Sequence, residues 1–131
     1  MTLDPDVPAH LVSQAFCSAL PIAYHNFEES GDRVWAPLAT LVLEAAYEAT
    51  LWTAVLNARR GASRRVLLTL LGGGAFGNDE AWIRSALARA LSAVRGHALR
   101  IDVVSYGPPS EPLSRWIASH STSEKANVSS S

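Results

Sequence analysis

Apolar residues along this chain fall into blocks separated by glycine, proline and polar stretches, and the spacing inside each block predicts its structure. The longest block covers residues 37–59. Leu38, Val42, Ala45, Ala49, Trp52 and Leu56 recur at spacings of four and three, which makes one helical stripe. Leu43, Tyr47, Leu51 and Val55 make a second at spacing four. Pro37 suits the first turn, where its missing N–H costs nothing. Arg59 and Arg60 suit the negative end of the helix dipole, and Gly61 is a natural stop. A helix apolar around so much of its circumference needs cover on more than one side.

Residues 66–71 (VLLTLL) form an apolar run without alternation, as expected of a central strand buried on both faces. A helix is predicted over 79–95, capped by Asn78 or Asp79, with Ile83, Leu87, Ala90 and Val94 as its buried stripe and Gly96 as its end. Residues 99–105 alternate through Leu99, Ile101 and Val103 and read as a further strand. Residues 10–19, stopped by Pro21, read as the first strand. The polar stretch 26–33 with Gly31 reads as a loop, and a short helical turn is expected over 113–117. Residues 1–9 read as an arm, 10–118 as one α/β domain, and 119–131 as a disordered serine-rich tail.

The order strand, helix, strand, helix, strand implies parallel pairing through right-handed crossovers. The predicted fold is therefore α/β, a three-layer α/β/α arrangement around a small, mostly parallel sheet. Three strands leave both sheet edges open, and helix 37–59 carries more apolar surface than they can cover. The expectation is a chain that self-associates, docks through an open edge, or forms the C-terminal portion of a larger domain.

Composition narrows the function classes. Apolar residues make up 48% of the 131 residues, and a net charge of −1 gives no basic footprint for nucleic acid or an anionic membrane. Cys17 is the one cysteine, so neither an internal disulfide nor a cysteine zinc cage can form. His10, His25, His97 and His120 lack ligand spacing; no metal and no cofactor is predicted. The N-terminus lacks the basic and apolar regions of a signal peptide, and no run approaches the roughly 18 apolar residues of a membrane span. The expected location is cytoplasmic.

The candidate chemistry lies in Gly72-Gly73-Gly74-Ala75-Phe76-Gly77-Asn78, between a buried strand and a helix start. Ligands of open α/β sheets bind beyond the carboxyl ends of strands. Glycines there allow positive φ and close backbone approach, so N–H groups can converge on phosphate oxygens beside the helix dipole. The structural alternative is a tight turn and nothing more. A nucleotide triphosphate loop requires lysine and a hydroxyl residue after its last glycine, where Asn78 and Asp79 stand. Gly72, Gly74 and Gly77 match the spacing of a dinucleotide fingerprint. However, the helix starts only after Gly77, and the next strand ends in Ser105-Tyr106-Gly107 without the required acid.

Gly74-Ala75-Phe76-Gly77 resembles the glycine–any–aromatic–glycine loop of the macrodomain, an α/β module that binds ADP-ribose. The likeness extends in order and length over about residues 10–107, including VSQAFCSALP leading into Pro21. AFCSALPIAY, LEAAYEATL and LTLLGGGAFGN also resemble segments of a longer, macrodomain-like bacterial family. The resemblance implies that the amides from Gly74 to Gly77 face a diphosphate and distal ribose, with Phe76 near that ribose and Tyr106 against adenine. Core packing for Phe76 and strand-end packing for Tyr106 are the alternatives. The family's second binding loop and its adenine-reading acid have no counterpart here, so the likeness covers about half of the family's domain. Asp79 and Glu80 would also oppose a dianion if they faced it.

Three functions follow as expectations. The first is a module binding ADP-ribose or a related nucleotide. The second is part of an ADP-ribosyl hydrolase, active only when completed by an N-terminal half. The third is a structural piece that docks to such a half. No catalytic residue is assigned. Glu44 and Glu48, one turn apart, could act as acid and base but read more simply as the solvated strip of an apolar helix. Cys17 has only His25 nearby in sequence and reads as a buried, inert thiol. Arg84 and Arg95 read as ordinary surface arginines.

Overall fold

A computed structural model describes residues 11–24 and 31–125. They form a mixed α/β unit with three helices and a two-stranded parallel sheet. Helix α1 spans Gly31–Arg59, strand β1 Arg65–Thr69, helix α2 Glu80–Ala93, strand β2 Arg100–Val104 and helix α3 Glu111–Lys125. Among the described residues no helix is long and apolar enough to cross a membrane.

Helix α1 begins six residues before Pro37, inside the stretch predicted as a loop. Pro37 therefore lies within the helix, where it has no N–H to offer the carbonyl of residue 33. The second predicted stripe is the core face: Leu43, Tyr47, Leu51 and Val55, continued upstream by Ala39, are all buried. They pack with Ile83, Ala86, Leu87, Ala90 and Val94 of the α2 region into one cluster. The first predicted stripe points the other way. Leu38, Ala45, Ala49, Trp52 and Leu56 are exposed, as are Val34 and Leu41. Between Val34 and Ala58 the only charged side chains are Glu44 and Glu48, and both turn to Arg89 of α2, at 3.5 and 3.8 Å.

The strands pair in the register Arg65↔Arg100 through Thr69↔Val104. Val66 and Leu68 face the helices and join the core, with Ile101 packed against it. Arg65, Leu67 and Thr69 point to the opposite face with their partners Arg100, Asp102 and Val104. There Leu67 is 60% exposed, and Arg65 bonds Asp102 at 2.8 Å across the strands. No helix covers this face among the described residues, so helices and sheet make two layers rather than a closed sandwich.

The predicted strand at 10–19 does not form. Residues 11–20 have no ladder partner. Two attachments hold this segment away from β1. Cys17 Sγ lies 3.8 Å from Thr50 Oγ1 and 3.9 Å from the Ala46 carbonyl on α1, and Ala19 is buried. Cys17 itself is exposed, against the burial expected of it. Helix α3 is longer than the turn expected at 113–117 and continues into the serine-rich stretch. It is anchored by buried Leu113, by Trp116 against the core, and by Ser110 Oγ donating to Glu80 Oε2 at 2.7 Å. Residues 1–9, His10, His25 and the tail 126–131 lie outside the described residues.

Candidate functional site

Parallel pairing puts the carboxyl ends of β1 and β2 at one edge, so the glycine loop and the loop beginning at Ser105 leave from the same side. The end of β1 is fixed from α1. Tyr47 Oη donates to the Thr69 carbonyl at 2.9 Å and accepts from the Leu71 amide at 2.7 Å. Burial pushes the phenol up to about 12, partly offset by the Leu71 N–H that favours its ionised form. A neutral hydroxyl is thus held between two main-chain groups, where it can both donate and accept. Its local sequence shows only a stripe residue; both partners are 22 or more positions away, beyond any local pattern.

The glycines divide into two kinds. Gly72 and Gly77 have positive φ and face the 19–23 segment closely. A Cβ on Gly72 would lie 2.5 Å from the Ala19 Cβ, and one on Gly77 2.8 Å from the Ala23 Cβ. These two serve the turn and its packing. Gly73 and Gly74 are exposed with Ala75; Gly74 also takes a positive φ of 66°, but a Cβ there would meet nothing within 4 Å. Gly74–Phe76 form one 3-10 turn closed by the Gly77 amide on the Gly74 carbonyl at 3.0 Å. Phe76 is half-buried and packs against the core.

Asn78 is buried at the base of the loop. Its amide bonds the Gly72 carbonyl at 3.0 Å, and its Nδ2 donates to the Leu20 carbonyl at 2.7 Å and to the Gly72 carbonyl at 3.2 Å. Its Oδ1 is buried with no partner among the described residues. Asp79, not Asn78, caps α2, its Oδ1 accepting from the Ala81 amide at 2.7 Å. Glu80 lies between Arg84 at 2.6 Å and the Ser110 hydroxyl at 2.7 Å. Residues Gly72 to Asn78 are thus brought together as one turn, while Tyr106 is fully exposed and packs on nothing.

A groove of about 640 Å³ lies elsewhere, between residues 11–17, the free side of β1 and the flank of α1. Nothing in the sequence pattern marked it, because it exists only where the predicted strand 10–19 fails to pair. Among the described residues no group of three or more histidine, cysteine or acidic side chains could hold a metal ion. No protein-family model matches the chain, and neither a curated protein nor a solved structure is significantly similar to it.

Proposed function

We propose that the chain is a macrodomain-like module that binds ADP-ribose or a related nucleotide diphosphate at the exposed turn Gly73-Gly74-Ala75. One observation carries the reading: the turn stands at the edge where both parallel strands end, directly before the N-terminus of α2. That is where open α/β sheets receive phosphate-bearing ligands. The empty space around the Gly74 Cα supports close approach by a ligand. Asp79 and Glu80 already occupy the pole of α2, so the diphosphate lies over the turn rather than along the helix axis. Glu80 opposes it little, since Arg84 is bonded to the same carboxylate. Tyr106, exposed on the neighbouring loop, is free to stack on the base. The proposal includes cover for the bare face of the sheet, which would complete a three-layer arrangement.

Isothermal titration of ADP-ribose into the folded chain tests it. Saturable heat that is lost in Gly73→Glu is the expected result, because Gly73 has an ordinary φ of −69° and an added Cβ there stands at 3.5 Å or more from its neighbours, so a carboxylate enters the turn without straining it. A folded chain that gives no heat contradicts the proposal.

A further inference from the structure

We infer that the groove beside β1 is a slot for one β-strand supplied by a polypeptide segment from outside these 131 residues. The inference is independent of nucleotide binding. Its first ground is the phase of the β1 ladder. The Arg100 amide bonds the Arg64 carbonyl at 2.9 Å, and the register pairs Arg65 with Arg100. In a parallel pair this turns both backbone groups of Val66 and Leu68 toward β2 and those of Arg65, Leu67 and Thr69 to the other edge. On that edge the Arg65 amide bonds Ser63 Oγ, and the Thr69 carbonyl takes the Tyr47 hydroxyl and the Leu71 amide. Among the described residues four groups remain without a partner and face the groove: the Arg65 carbonyl, the Leu67 amide and carbonyl, and the Thr69 amide. An added strand uses a row of this kind.

The second ground is shape. The groove is lined along its length by consecutive residues 65–69 on one side and 11–17 on the other. Five strand residues span roughly 17 Å, a length of open edge along which one added strand can pair. The third ground is chemistry. The floor is Ala46, Tyr47, Thr50 and Ala54, and Leu11 and Phe16 on the far wall are 94% and 91% exposed. Among the described residues Arg65 is the one charged lining residue, and it is already bonded to Asp102. The slot therefore takes a strand with apolar residues at alternate positions and no charge facing α1.

The chain's terminal segments fit poorly. Residues 1–10 contain Pro5 and Pro8, which cannot donate to a ladder, and the tail 126–131 has a single large apolar residue, Val128. In a second copy the remaining strand edge belongs to a folded sheet, which cannot enter a slot walled on both sides.

Cys17 lines the groove and is the chain's one cysteine, so a strand can be tethered there selectively. The probe is a short peptide of alternating valine and threonine with a central cysteine, disulfide-linked to Cys17. Its control is the same peptide N-methylated at alternate residues. Tethering raises the effective concentration enough that intrinsic affinity no longer limits occupancy. Amide exchange of Leu67 and Thr69 is expected to slow by at least about tenfold with the probe and not with the control. No slowing, or equal slowing with both peptides, overturns the inference. It is equally overturned if these two amides are already protected in the free chain and lose protection on dilution, or on removal of residues 1–10. The first of those results assigns the slot to a second copy and the second to the chain's own arm.

Discussion

The two edges of β1 are built from the same five residues, yet one is paired throughout and the other faces an open groove. Helix α1 shows the same contrast: Leu43, Leu51 and Val55 are sealed in the core while Val34 and Leu41 on the far face are about 60% exposed. Apolar composition is nearly equal on both sides, so hydrophobicity alone does not decide which side is finished. The α1–α2 side is closed because α2 brings a matching stripe; no described element does so for the other.

The largest test of this contrast is truncation on the two faces of α1. Leu51→Ala is expected to cost about 2–5 kcal/mol by urea unfolding, since a fully buried leucine leaves a cavity. Leu41→Ala should change stability by within about 0.5 kcal/mol. Equal losses at the two positions would mean that the outer face is covered in the free chain.

Tyr47 sharpens the comparison because it clamps the end of β1 from the finished side. Tyr47→Phe leaves the Leu71 amide and the Thr69 carbonyl each one bond short, a loss of about 1–3 kcal/mol. An unfolded tyrosine ionises near 10, whereas this one is pushed up to about 12, so above pH 10 the unfolded chain gives up its proton first. The contribution of this group is fully present below pH 10 and is lost as pH rises toward 12, by about 2–3 kcal/mol at most. Urea titrations from pH 9 to 12 should show this decline in the parent protein and a smaller one in Tyr47→Phe.

Smaller effects are expected at the loop. Asn78→Ala removes two side-chain bonds that tie the glycine turn to Leu20 and Gly72, at about 1–2 kcal/mol. Asp79→Ala removes the cap of α2 at about 1 kcal/mol. Both are read by thermal unfolding. An Asn78→Ala loss below that of Asp79→Ala would show that the turn does not depend on its contact with the 19–23 segment.

Much of the finished side was legible in the sequence. The stripe of α2 and the alternation at 99–105 each carry a local period that their packing then uses; the run at 66–71 does form a strand, but it is buried on one face only, with Leu67 60% exposed, because no described element covers the other. The glycine turn was legible because Gly72–Gly77 interrupts that pattern between a strand and a helix. The rest depended on information that is not local. Residues 10–19 have the composition of a strand, but a strand exists only with a ladder partner. The polar residues at 31–33 concealed the first turn of α1, and Pro37 imitated a helix start. Serine-rich sequence concealed α3, whose anchors, Leu113 and Trp116, lie on surfaces that no pattern reveals. Within the loop, the sequence could not separate Gly72 and Gly77, fixed by packing, from Gly74, which stands in open space.

Residue-resolved amide exchange along β1 in the free chain reads both edges of the strand at once. Val66 and Leu68, bonded to β2, are expected to exchange slowly, and Leu67 and Thr69, facing the groove, to exchange fast. Uniform protection from Val66 to Thr69 would contradict an open edge, because both edges of the strand would then already be paired.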